Sequence, residues 1–144
     1  MSGQWRRRLD DLFFPVVPAE RLGAVRVFVG AFTLLFLAIR GVTLAGYGSF
    51  PAHRFQPVGV VSLLDAPLSA GVVWALVAAT VLAAIPFLLG WRFRVFGPLF
   101  AALLWWTTPY RQSWGMVFHT ENLMVLYVAV LFLTHSADAY AMDA

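Results

Sequence analysis

From Ala66 to Trp91 the chain carries no charged residue. A bilayer core is about 30 Å thick and a helix rises about 1.5 Å per residue, so roughly twenty apolar residues cross it. The stretch is longer than that, and a transmembrane helix over about 68–90 is the expectation. Trp74 and Trp91 suit interface anchors near its ends. Pro86 removes a backbone donor and is expected to kink the helix near Leu82.

The rest of the chain has the same character. It is 61% hydrophobic and only 12% charged, whereas soluble domains are about one quarter charged. One compact all-α membrane unit over 1–144 is expected, not two domains. There is no cysteine, so no disulfide or thiolate chemistry. All ten basic residues are arginine, so no lysine base or Schiff base is available. The arginines stand at the ends of apolar runs. That pattern fits topology signals and lipid headgroup contacts, and argues against a nucleic-acid patch. The expected partners are the lipid bilayer and further transmembrane helices or a second chain.

Four spans are expected, at about 22–44, 68–90, 95–110 and 115–134, with a short interfacial segment around Val58–Leu64. Before them, Arg6, Arg7 and Arg8 precede Leu12-Phe13-Phe14-Pro15, which suits a segment lying flat at the interface. The following apolar run starts late and lacks a small-residue cleavage site, so no signal-peptide removal is expected. Arg26 and Arg40 lie inside the two ends of the first span, and each is expected to snorkel to a headgroup. Gly23 and Gly30 leave room for a close neighbour. Pro98 fits the first turn of the third span, and Pro109 ends or bends it. Arg6, Arg7, Arg8, Arg21, Arg92 and Arg94 fall on one side, against Arg54, Arg111 and Arg40 on the other. The positive-inside rule then places both termini in the cytoplasm of a bacterial plasma membrane.

The chemistry concentrates in the fourth span. Leu123–Leu133 alone is too short to cross, so the span has to include His119, Glu121 and Asn122. Ionisable groups at membrane depth are costly and normally face a bundle interior or a wet cavity. In a helix starting near Trp114, His119 and Asn122 share a face, while Glu121 points about 200° from His119. Glu121 therefore needs its own partner, and Arg40 and Arg111 are the outer-side arginines at that depth. His119 either hydrogen-bonds across helices, to Thr107, Thr108 or Tyr110, or moves a proton in a site open to the outer face. Asn122, Glu121, Arg40 and Arg111 are the candidate substrate-binding residues around it. HxExN is not a zinc motif, and no metal site is expected.

Several segments together resemble the HTTM family, the membrane domain of vitamin K-dependent gamma-carboxylases and their bacterial relatives. FFPVVPAERLGAVRVFVG is similar to the family's opening, with Arg26 in its characteristic first-span position. RFQPVGVVSLLDAPLS resembles the following loop, and GWRFRV the turn between the second and third spans. RQSWGMVFHTENLMVLYVAVLFLTHSADAYAMD resembles the fourth span and its acidic exit. The resemblance implies a structural role for Arg26 and a catalytic role for His119. In the carboxylases the matching histidine takes part in oxidising vitamin K hydroquinone and adding carbon dioxide to glutamate side chains. Vitamin K hydroquinone or another quinone is the implied cofactor. The family's lysine base lies beyond the fourth span, and this chain has no lysine. The resemblance thus implies the first half of such a domain, as a fragment or as a piece that works with another chain. A non-enzymatic membrane subunit or scaffold is the second reading. A transporter or channel subunit is the third, disfavoured because the second half does not repeat the first.

Overall fold

The structure is a computed structural model that describes residues 18–115 and 117–143. The Leu12–Pro15 interface segment lies outside the described residues. Within them the chain is all-helical: α1 (Ala19–Gly46), α2 (Ala70–Leu89), α3 (Phe93–Gln112) and α4 (His119–Phe132), with short 3-10 turns at Tyr47–Ser49, Ala52–Arg54 and Gly59–Leu63. The helices run up and down in sequence order. α1 packs on α2, α2 on α3, α3 on α4, and α4 closes against α1. One end of the bundle holds the start of α1, the α2–α3 turn and the C-terminal tail. The other holds the 47–69 loop and the α3–α4 connection.

Local chemistry sets the boundaries. Glu20 sits in the first turn of α1, where the helix dipole favours an anion. α2 ends on Gly90, whose φ of +67° is left-handed. The Gly90 N–H bonds Phe87 O at 3.2 Å and the Trp91 N–H bonds Pro86 O at 2.9 Å, the paired carbonyl capture of a Schellman ending. Phe93 then opens α3 after a tight turn. Pro86 lies within α2, Pro98 in the second turn of α3, and α3 runs through Pro109 to Gln112.

The fourth helix is shorter than the expected 115–134. It begins at His119, because the chain before it is committed elsewhere. Ser113 Oγ donates to Pro109 O at 2.7 Å. Its carbonyl accepts the Gln56 N–H at 2.8 Å, and its hydroxyl accepts the Val58 N–H at 3.2 Å. Those bonds tie residue 113 to the 47–69 loop.

α1, extended by its 3-10 turn to Ser49, and α2 are long and apolar enough to cross a membrane. α4, at 14 residues, is shorter than a crossing. The interior is built from Leu37, Phe87, Phe100, Leu104, Met124 and Val128. Polar side chains are inside as well: Arg26, Thr33, Thr80 and Thr107 have no exposed surface. Thr80 and Thr107 hydroxyls meet at 2.8 Å between α2 and α3. The outside is apolar, with Phe28 76%, Ile39 66%, Val42 70% and Leu82 67% exposed.

Candidate functional site

The α3–α4 end gathers the polar side chains singled out in the sequence. Arg111, in the last turn of α3, forms an ion pair with Glu121, in the first turn of α4. Each stands at the helix end whose dipole favours its charge. The pair is sequestered, with Arg111 10% and Glu121 3% exposed. The Arg111 guanidinium also lies 4.4 Å over the Phe118 ring. Asn122 Oδ1 accepts a hydrogen bond from Gln112 Nε2 at 3.0 Å, so two polar pairs staple the same helix junction. Glu121 Oε2 is buried without a donor among the described residues.

Of the two arginines considered for Glu121, the structure selects Arg111. Arg40 is exposed on α1 and makes no ion pair among the described residues. It belongs to the outward face of its helix, and is not part of the Glu121 cluster.

His119 and Glu121 point to opposite sides, as their angular spacing requires. His119 is exposed. It does not turn inward to the expected hydroxyl partners, which are engaged elsewhere. Thr107 bonds Leu103 O at 2.8 Å as well as Thr80. Thr108 bonds Leu104 O at 2.9 Å, and Tyr110 bonds Leu68 O at 3.4 Å. The cause is the late helix start, which leaves His119 on the outer side of the first turn. Among the described residues His119 stands exposed and lines none of the three cavities at the opposite end of the bundle, so no quinone fit is shown around it. Among the described residues no group of three or more His, Cys, Asp or Glu side chains converges on a metal position.

Arg26 does not snorkel. It is fully buried, donating to Ser136 O at 2.6 Å and to Tyr140 O, with its guanidinium 5.8 Å from the Phe93 ring centroid. Two glycines let the tail come close enough. A Cβ on Gly23 would stand 2.6 Å from Ala139 O, and one on Gly90 2.4 Å from Ala141 Cβ. The Met142 N–H bonds Leu89 O at 3.0 Å, and Asp143 accepts the Arg92 N–H. Arg26 is therefore the anchor of the C-terminal tail. Sequence reasoning missed this arrangement because backbone carbonyls, its acceptors, have no sequence signature. It also missed Gln112, which shows only once Asn122 is placed opposite it.

Three cavities, of about 420, 620 and 530 Å³, lie at the tail end of the bundle. No family model, curated protein or solved structure matches the chain.

Proposed function

We propose that the chain is an integral membrane bundle of the HTTM type. It crosses the bilayer four times with both termini cytoplasmic. Its outer end, carrying Arg111, Glu121 and His119, builds a polar site together with further transmembrane helices. The observation that carries the membrane reading is the inverted distribution of polarity. α2 has no charged residue, yet Val72 and Trp74 are each 50% exposed and Leu82 67%, while Thr80 is fully buried. In water, that exterior would be an aggregation surface. In lipid it is the stable arrangement, with polar side chains bonding between helices.

The assembly half of the proposal rests on α4. His119, Leu123, Leu126, Val130 and Leu133 are all exposed, at successive spacings of four, three, four and three residues. That is the seam spacing of helices packed side by side. A partner helix on this seam supplies the missing wall beside His119. By resemblance the ligand of a site completed by partner helices would be a hydroquinone of the vitamin K class, with His119 on its wall.

The absence of native cysteine makes the topology test direct. Single cysteines at Ser49 and Ser62 should react with an impermeant maleimide on intact cells, and one at Asp138 only after permeabilisation. The reverse pattern, or a chain in the soluble fraction, would refute the topology. Spectral titration with a quinone should show a perturbation that His119→Ala removes. An unchanged titration would leave the bundle as a non-enzymatic subunit whose α4 face recruits partner helices.

A further inference from the structure

The tail end of the bundle carries two apolar grooves side by side. One, of about 420 Å³, runs between α2 and α3 along Leu82, Ile85, Pro86, Trp91 and Phe96. The other, of about 530 Å³, runs between α1 and α2 along Val27, Ala31, Leu88 and Tyr140. They share Leu89 and Met142 as a common ridge. From Leu89 to Leu82 the first groove extends about 10 Å along the helix, from the end of the bundle inward. Both volumes fall within the roughly 300–1,000 Å³ of small-molecule sites.

Charge stands at the mouth. The Arg92 guanidinium lies 5.3 Å over the Trp91 ring, which itself stacks 5.3 Å from Phe96 in the groove wall. Arg92 and Arg94 also line a mixed cavity of about 620 Å³, with Phe132, Leu133, His135, Asp138 and Asp143. The Asp143 carboxylate is engaged with the Arg92 N–H, and Arg92 and Arg94 form no ion pair among the described residues. Two apolar grooves that meet at one ridge, with Arg92 stacked on the wall of the first and Arg94 beside Arg92 in the neighbouring cavity, match a molecule with two hydrocarbon tails and a phosphate.

We propose that this end binds one anionic phospholipid, with its acyl chains astride the Leu89–Met142 ridge and its phosphate on Arg92 and Arg94. The inference rests on the membrane reading above, which places this end in the cytoplasmic leaflet, where anionic lipids attract basic groups.

Native mass spectrometry of the detergent-purified chain tests it, with phosphatidylglycerol and phosphatidylcholine of identical acyl chains added in equal amounts. The wild type should retain a single phosphatidylglycerol at least fivefold over phosphatidylcholine. Arg92→Gln/Arg94→Gln should bring that ratio within twofold of unity. Leu82→Trp, which crowds the inner end of one groove, should lower retention of both lipids at least threefold with the arginines intact. Equal retention by the wild type overturns the site, as does a preference that survives the double substitution or retention unaffected by Leu82→Trp. Alkaline carbonate extraction separates the two levels. A carbonate-resistant chain without lipid preference overturns the lipid site alone. A chain released into the aqueous phase overturns the membrane reading, and the lipid site with it.

Discussion

Arg26→Ala is the most informative single substitution. The side chain has no exposed surface and donates to two tail carbonyls, those of Ser136 and Tyr140. Hydrogen bonds from a charged donor contribute about 1.5–3 kcal/mol each. The contact with Phe93 adds about 0.5–2 kcal/mol. Summed, the truncation would cost about 4–8 kcal/mol. Two effects reduce this. The tail lies at the end of the bundle, so its released carbonyls regain water, and removing a buried cation recovers part of its desolvation cost. A net loss of about 2–4 kcal/mol in tail docking is expected. Each 1.4 kcal/mol is a factor of ten, so tail opening should rise about thirtyfold or more. Chymotrypsin cleavage after Tyr140 in detergent reads this opening directly, with thermal unfolding of the helices followed in parallel. Arg26→Lys should fall between, because one ammonium cannot span two carbonyls with the fork of a guanidinium. Cleavage of Arg26→Ala within twofold of wild type would refute the anchoring role.

Three further outcomes are expected. Gly90→Ala should release the same tail, because φ is +67° and the new Cβ would lie 2.4 Å from Ala141 Cβ; a lower unfolding temperature, for a cost of about 1–3 kcal/mol, checks it. Glu121→Gln should destabilise the α3–α4 junction by up to about 3–5 kcal/mol, since it leaves Arg111 a buried charge without its counterion, while Glu121→Leu with Arg111→Met should recover most of that in thermal unfolding. His119→Ala should leave stability within about 0.5 kcal/mol, as an exposed side chain; any activity it abolishes then reports on function and not on folding.

Helix number and order were legible because apolar runs, glycines and prolines mark them. The charge-free stretch gave α2 to within two residues of its observed ends. α4 was misjudged because Leu123–Leu133 is too short to cross, which carries the span back through His119, Glu121 and Asn122 to about residue 115, whereas Ser113 is bonded to the 47–69 loop. Glu121 and Arg111 were legible as a pair because a carboxylate at that depth demands a cation. Choosing Arg111 over Arg40 needed the helix rotations. Arg26 misled for a different reason. An arginine near the end of a span reads as snorkelling, and nothing in the sequence says that a distant segment returns to meet it.

The longest and shortest helices differ in length by a factor of two. At about 1.5 Å per residue, the 28 residues of α1 reach about 42 Å and the 14 of α4 about 21 Å. On the proposed four-span reading, in a bilayer about 30 Å thick, α1 would lean or protrude and the lipid beside α4 would thin toward it. Such a bundle would carry a dimple on one flank, with water nearest the hydrocarbon at the helix that begins with His119.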